Sequence, residues 1–269
     1  MENDKELKQA KKRTEKIYIT DIAIQKVPYI RYKNFSEKQN MIMRQLARDV
    51  LSLSKEFNDS NEVAITCDIG ADMPLDEYGI SYGTEHSVQI TSDTLSNHIL
   101  TSADSVSVVI LHNHPSSQTF SLEDIRFFLV YSTVAVISVV SNQGTIHYLY
   151  KDKQYDFHKA FALFKEFAAK ATKNLTVNEH YDIALSFLKQ CGEAGLFMNE
   201  RGFKMREEGY LNDLYYEDRP MRLVVPDPLQ KADEQELEQS RKKNREMIMA
   251  IRKRQREMAL HKAPELLDD

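Results

Sequence analysis

Two histidines and an aspartate stand close together in the sequence, at His112, His114 and Asp124. The histidines directly follow an apolar run, residues 106–111, that is typical of a strand. Side chains at positions i and i+2 of an extended segment project to the same side, so both imidazoles can reach one metal ion. A carboxylate ten residues after His114 can return to the same point. Two histidines and one carboxylate predict a zinc site with its fourth position open to water.

An open zinc site is catalytic in character, whereas a structural zinc is closed by four protein ligands. Water on such an ion loses a proton near neutral pH, and the reaction still needs a base that does not bind the metal. Glu62, fifty residues before His112, is the candidate for this base. Spacing alone does not distinguish it from Glu77 or Glu85, and by itself Glu62 is equally an ordinary solvated acid at a strand edge.

The surrounding pattern predicts the elements that would hold these groups. Apolar alternation and apolar runs predict strands, and a Ser36 N-cap with an apolar stripe predicts a long helix. An extended segment is expected from Lys16 to Pro28. Strands that alternate with helices and end in a hairpin predict an α/β fold, a mixed β-sheet flanked by helices. The predicted strands are 62–69, 78–82, 87–91, 106–111, 134–140 and 145–151, and the predicted helices among them are 36–57, 92–101 and 121–131.

The His-x-His-Pro run at 112–115, followed by Ser-x-x-Asp at 121–124, resembles the motif of the JAMM (MPN+, or JAB) zinc metallopeptidases. The residues HNHPS after an apolar strand are most similar to the bacterial RadC-like branch of that family. The resemblance covers residues 16–151. The usual motif has six residues between the proline and the serine, whereas residues 116–120 supply five here. Loops between fixed elements tolerate such changes in length, so Asp124 is still expected to reach the metal.

The resemblance implies a JAMM core, similar to that of the cytidine deaminases, and a role for each matching residue. His112, His114 and Asp124 would bind Zn²⁺. Glu62 would act as the general acid and base, and Ser121 would donate a hydrogen bond to the oxyanion of the tetrahedral intermediate. Ser121 and Asp124 are also the residue types of an ordinary helix capping box. The literal His-Asn-His run at 112–114 is not an HNH nuclease motif, whose residues are spread along a ββα unit.

Composition limits the class of protein. Cys67 and Cys191 are the only cysteines in 269 residues, which is typical of a protein from a reducing compartment. The formal net charge of −5 does not favour general nucleic-acid binding. No apolar run approaches the ~20 residues of a membrane span, and the first residues lack the apolar core of a secretory signal. We therefore expect a cytoplasmic protein that does not contact membranes.

Composition and the resemblance together divide the chain. We expect a disordered N-terminus at 1–15, the RadC-like domain at 16–151, a helical extension at 152–218, a proline-containing linker at 219–230 and a charged, exposed C-terminal helix or tail at 231–269. Residues 241–256 carry eight lysines and arginines and one acid. This basic run is an ordinary solvated helix face, a partner for the acidic residues just before it, or a contact for a phosphate backbone.

Two classes of function fit these patterns. The first is a zinc-dependent metallopeptidase or isopeptidase that directs a zinc-activated water at an amide bond in a protein or peptide substrate. The second is a DNA-associated or phage and mobile-element accessory protein, in which the RadC-like domain acts mainly by binding or scaffolding. In the second class the basic run at 241–256 would contact the nucleic acid.

Overall fold

The computed structural model describes residues 16–70, 77–103, 106–116, 118–172, 175–199 and 233–261. The predicted disordered N-terminus at 1–15 and the predicted linker at 219–230 lie outside these ranges. Parts of the predicted helical extension and of the C-terminal tail, residues 200–218, 231–232 and 262–269, lie outside them too.

Six described strands form one mixed sheet in the order β2-β1-β3-β4-β5-β6. The pair β3 and β4 is parallel, and the other neighbouring strands are antiparallel. A parallel pair needs a crossover connection, and a helix supplies it here. The predicted α/β class, a mixed sheet flanked by helices, is confirmed. The strands are β1 Val63–Asp68, β2 Gly79–Tyr82, β3 Val108–His114, β4 Val134–Ser141, β5 Ile146–Lys151 and β6 Leu196–Met198.

Helices cover both faces of this sheet. Helix α2 begins at a Ser36 N-cap with a reciprocal Gln39 capping box, as the sequence predicts, and packs its apolar stripe on one face. Helices α3 to α6 build a second core on the other face. No described helix has the length and apolar composition needed to cross a membrane. The helices are α1 Asp21–Gln25, α2 Glu37–Phe57, α3 Thr94–Ser102, α4 Leu122–Val130, α5 Phe157–Ala168, α6 Val177–Leu188 and α7 Glu234–His261.

The two central strands explain where the chemistry-bearing residues lie. Every residue of β3 and β4 is buried, which is typical of strands that helices cover on both faces. Since β3 and β4 are parallel, their carboxyl ends meet at one edge, where His114 lies opposite Ser141. Ligand sites of open α/β sheets lie at this edge.

Two sequence predictions of extended structure are wrong. Residues 87–91 do not form a strand, because the Ile90 carbonyl accepts a hydrogen bond from the Ser81 hydroxyl and the chain turns into a 3₁₀ helix at Ile90–Ser92. The segment from Lys16 to Pro28 forms no strand and contains a short helix instead. The Thr20 hydroxyl then accepts from the Ala23 N–H, an N-cap that starts α1.

The chain after Lys151 packs on the same sheet as the residues before it. Strand β6, which lies within the predicted helical extension, pairs with β5 and places Phe197 opposite Tyr150. Aromatic side chains of α5 and α6, including Phe164 and Phe187, join the core on the α4 face. Residues 157–168 and 177–188 are helical, as predicted.

The C-terminal helix α7 exists as predicted, but one face of it is buried rather than exposed. It packs against α2, α3 and β2. Two of the positions on this face are polar, which weakens the apolar periodicity that would have predicted burial. The buried residues of α7 are Leu237, Asn244, Ile248, Ile251 and Gln255.

Candidate metal centre

The last residues of β3 and the first turn of α4 bring three metal-ligating side chains to one point. His112 Nε2 lies 3.1 Å from His114 Nε2 and 3.1 Å from Asp124 Oδ1. His114 Nε2 lies 3.5 Å from Asp124 Oδ2. Ligand atoms about 2.0–2.1 Å from a tetrahedral zinc are about 3.4 Å from one another. The three side chains therefore already have the mutual spacing that one small cation requires, and they form a group that can bind a metal ion.

Burial and charge also favour a cation at this point. Both histidines are buried, and Asp124 is largely so. Burial raises the pKa of Asp124, but the two histidines outweigh this effect and hold it well below its usual range. Burial likewise lowers the pKa of His114, and the Asp124 carboxylate reverses the direction and raises it.

Asp124 is part of a helix capping box and is also a candidate metal ligand. Ser121 is the N-cap of α4, and its hydroxyl accepts a hydrogen bond from the Asp124 N–H at 3.1 Å. The Asp124 Oδ2 atom accepts from the Ser121 N–H at 2.8 Å and from the Ser121 hydroxyl at 2.7 Å. Asp124 thus caps its own helix while its carboxylate faces both histidines. The cap orients the candidate ligand.

The shortened loop does not prevent this arrangement. Its first anchor is Pro115, whose carbonyl accepts a hydrogen bond from the Ile17 N–H at 2.8 Å. Its last anchor is Phe120, which is fully buried in the core beneath α4. With both ends held, the five residues still deliver Asp124 to within hydrogen-bonding distance of His112, as expected.

Asn113, between the two histidines, holds β3 in place from the opposite face of the strand. Successive strand residues point to opposite faces, so this buried side chain points away from the histidines. Its Oδ1 accepts from the Val63 N–H at 2.8 Å, and its amide donates to Asn142 Oδ1 at 2.7 Å and to the Asn61 carbonyl at 3.1 Å. Asn113 therefore ties β3 to the start of β1. Sequence reasoning missed this role, although an amide inside a buried strand is a signal for it.

These contacts place Glu62 beside the centre. In the β1–β3 register Ala64 lies opposite His112, so Glu62 is level with His114. Glu62 is buried, with 6% of its surface exposed. Burial raises its pKa to about 8, and the neighbouring Asp124 raises it while His114 lowers it. A carboxyl with a pKa near neutrality, next to a metal-binding group, has the property required of a general acid and base.

The structure separates Glu62 from the two acids that spacing could not exclude. Glu77 forms an ion pair with Arg241 of α7, with a Glu77 Oε1 to Arg241 Nε distance of 2.9 Å. Glu85 lies in the turn after β2. Glu62 instead is level with His114 in the β1–β3 register, and its pKa responds to His114 and Asp124.

Tyr181 is a further neighbour that sequence reasoning missed. It lies on α6, in the predicted extension, and its ring meets the His114 ring edge to face, with centroids 6.5 Å apart and an interplanar angle of 74°. No local signal marks Tyr181, because it is one apolar position of an amphipathic helix and only the packing of α6 brings it here.

The basic run at 241–256 is partly used within the fold. Arg241 pairs with Glu234, one of the acidic residues just before the run, as one of the alternative interpretations predicts, and it also pairs with Glu77. Arg252 binds the buried Asp49, and Arg254 binds Glu56. The lysines and arginines of the run whose side chains are largely exposed are Lys242, Lys243, Arg245, Lys253, Arg254 and Arg256.

No protein-family model, no curated protein and no solved structure matches this chain. The resemblance of residues 112–124 to the JAMM motif therefore stays a prediction. His112, His114 and Asp124 form a group able to bind a metal ion, at the carboxyl edge of a mixed α/β sheet and beside a buried glutamate.

Proposed function

We propose that the chain is a zinc-dependent metallopeptidase or isopeptidase of the JAMM type, from its RadC-like branch. One observation carries the proposal. Three candidate ligand side chains approach one another to 3.1–3.5 Å, and Glu62, from a distant part of the sequence, is buried within their electrostatic influence. A site that only stabilised the fold would use a fourth protein ligand and would not need a proton-exchanging carboxyl beside it.

The residues present fit zinc, which accepts both imidazole nitrogen and carboxylate oxygen. His112 and His114 would hold the ion from β3, and Asp124 would hold it from α4. A zinc ion bound there would supply a Lewis acid that acidifies water and polarises an amide carbonyl. The histidine pair and Asp124 are buried enough to exclude competing solvent ligands from most directions.

Glu62 provides the proton transfers in this proposal. Its carboxylate takes a proton from the attacking water and returns that proton to the leaving amine nitrogen. Its raised pKa suits both steps, because the group can hold and release a proton near neutral pH. The cap made by Ser121 holds Asp124 in one orientation, and Asn113 holds the strand on which both histidines lie. The substrate class is a protein or peptide amide bond, including an isopeptide bond.

Metal content tests the first half of this proposal. We expect about one zinc per chain by inductively coupled plasma mass spectrometry in wild-type protein purified without chelator. His114→Ala should lose the metal. The matched control His158→Ala, at an exposed histidine on α5, should keep it. A wild-type protein that binds no zinc after the metal is added back contradicts the proposal.

Turnover tests the second half. A fluorogenic screen of peptide and isopeptide substrates should find hydrolysis by the zinc-loaded wild type. Glu62→Gln should keep its zinc and lose hydrolysis, because the amide is close in shape to the carboxyl but cannot accept the proton. Hydrolysis that Glu62→Gln leaves at the wild-type rate would show that Glu62 is not the base.

A further inference from the structure

The hydroxyl group of Ser121 is committed to Asp124. A serine hydroxyl has one proton to donate. In this structure that proton lies in the hydrogen bond from Ser121 Oγ to Asp124 Oδ2 at 2.7 Å, while the oxygen accepts from the Asp124 N–H. A second donor is therefore needed if the substrate oxygen, on which negative charge develops during attack, is to receive a hydrogen bond from a side chain.

Helix α6 extends from the core to the metal centre. Positions three or four apart share a helix face, so Asn178, Tyr181, Ala184 and Leu188 lie along one stripe of α6. The C-terminal members of this stripe, Ala184 and Leu188, are buried in the core. The N-terminal members lie nearer the loop that precedes α4, and Asn178 Oδ1 accepts a hydrogen bond from Gln118 Nε2 at 2.8 Å. This contact joins α6 to the loop between His114 and Asp124.

Tyr181 is the member of the stripe that reaches the centre. Its ring lies edge to face with the imidazole of His114, 6.5 Å between centroids. The residue is half-buried, so part of it remains open to a molecule that approaches the centre. Because α6 is anchored by its core residues at one end and by Asn178 at the other, the ring is held in place without the metal.

The phenol of Tyr181 lies within the electrostatic influence of the centre. Burial raises the pKa of Tyr181, and the carboxylates of Asp124, Glu62 and Glu123 raise it further. Asp124 is a candidate metal ligand and Glu62 is the candidate base, so the hydroxyl is close enough to both to respond to their charges. It stays protonated at neutral pH and remains a hydrogen-bond donor.

We propose that Tyr181, held over His114 by helix α6, donates its hydroxyl hydrogen bond to the carbonyl oxygen of the amide bound at the centre. This inference rests on the proposed function, since it takes the His112, His114 and Asp124 group as the metal centre. It also gives the extension at 152–199 a role, because α6 forms a wall of the substrate site beside the candidate metal ligands. Tyr181 then supplies the hydrogen bond to the substrate oxygen that Ser121, which donates to Asp124, does not supply.

Cobalt loading separates this inference from activity. Co²⁺ takes N and O ligands similar to those of zinc and has a visible absorption spectrum, so a small carbonyl-containing probe, acetohydroxamate, can be titrated onto the metal without any substrate. We expect Tyr181→Phe to bind one Co²⁺ per chain, as the wild type does, and to bind acetohydroxamate about tenfold more weakly. The loss corresponds to one hydrogen bond to a charged oxygen.

The control variant is Tyr131→Phe, a half-buried tyrosine at the far end of α4 that stacks on Phe127. It should bind acetohydroxamate as the wild type does. Equal affinity in Tyr181→Phe and wild type, or an equal loss in Tyr131→Phe, overturns the role of Tyr181 and leaves the metal centre intact. Cobalt-loaded wild type that does not bind acetohydroxamate also overturns it. A wild type that binds no Co²⁺ overturns the proposed function itself.

Discussion

Ser121 and Asp124 bind each other reciprocally at the first turn of α4. The serine hydroxyl donates to Asp124 Oδ2 at 2.7 Å and accepts from the Asp124 N–H at 3.1 Å. The other carboxylate oxygen lies 3.1 Å from His112 Nε2. A helix cap and a candidate metal ligand thus share one side chain, so the stability of α4 and the affinity of the centre are coupled.

Ser121→Ala should therefore change two properties together. Loss of the N-cap hydroxyl should lower the free energy of unfolding by about 1 kcal/mol. Loss of the group that orients a ligand should weaken zinc affinity by roughly tenfold or more. Urea denaturation measures the first effect, and competition with a chromogenic chelator measures the second.

The chain offers a matched control for this variant. Thr176 and Glu179 make the same reciprocal capping box at the start of α6, with Thr176 Oγ1 donating to Glu179 Oε2 at 2.7 Å. Thr176→Ala should lose a comparable cap and keep the zinc affinity of the wild type. Equal zinc affinities in Ser121→Ala and wild type would show that the cap does not orient the ligand.

Glu62 should destabilise the metal-free protein as pH rises. Its pKa of about 8 in the folded protein is above the ordinary value of 4.5, so between these values the folded state keeps a proton that the unfolded state releases. The free energy of unfolding then falls with rising pH, by at most about 1.4 kcal/mol per pH unit. Glu62→Gln removes this penalty and should stabilise the chelator-treated protein at pH 8, but not at pH 4.

Urea denaturation in the presence of a chelator, at pH 4, 6 and 8, measures this difference. Glu85→Gln, the same change in a surface turn, is the matched control. A Glu62→Gln difference that is the same at all three pH values would contradict the burial argument.

Lys151 should have the opposite effect on the pH dependence of the free energy of unfolding. Its amino group is buried, donates to the Tyr131 carbonyl at 3.0 Å, and lies over the Phe128 ring. Burial lowers its pKa from 10.5 to about 7, so between these values the unfolded state holds a proton that the folded state lacks. This group therefore makes the free energy of unfolding rise with pH in that window, by at most about 1.4 kcal/mol per unit.

Lys151→Met removes that contribution. The free energy of unfolding of wild type minus that of Lys151→Met should increase from pH 7 to pH 9, as measured by urea denaturation. Lys153→Met, the same change at an exposed lysine two residues later, is the matched control. A flat difference for Lys151→Met would mean that the amino group stays charged when buried.

The packing of helix α7 against α2 should depend on the ion pair between Asp49 and Arg252. Asp49 of α2 is fully buried, and its Oδ2 accepts from Arg252 Nε at 2.9 Å and from Nη2 at 2.7 Å. Arg252→Ala leaves this carboxylate without its counter-charge and should lower the free energy of unfolding by about 3 kcal/mol. Lys253→Ala removes the same charge from the exposed face of α7 and should change stability little.

Thermal denaturation and limited proteolysis of α7 measure both variants. Arg252→Ala should be cleaved faster within α7 than wild type and Lys253→Ala. The double variant Asp49→Asn, Arg252→Ala should recover part of the loss, because no buried charge then lacks a partner. Equal melting temperatures of Arg252→Ala and Lys253→Ala would rule out this role of the pair.

The sequence by itself determined the parts of this protein that depend on short-range pattern. Because side chains of a strand point to the same side at every second residue, the sequence placed His112 and His114 on one side of a strand. The N-cap signal at Ser121 placed Asp124 in the first turn of a helix. Both follow from local backbone geometry. Alternating strands and helices likewise predicted the α/β class. Local pattern gave wrong predictions where long-range contacts determine the structure: residues 87–91 do not form a strand, and one face of α7 is buried.

Tertiary structure alone decided which distant residues complete the site. The resemblance had named Glu62, but only the register of β1 against β3 brings it level with His114, which spacing could not show for Glu62, Glu77 or Glu85. Packing of α6 on the core brought Tyr181 to His114, and packing of α7 gave Asp49 its arginine. Contacts between residues tens to hundreds of positions apart depend on how faces of elements fit together, which no local periodicity encodes.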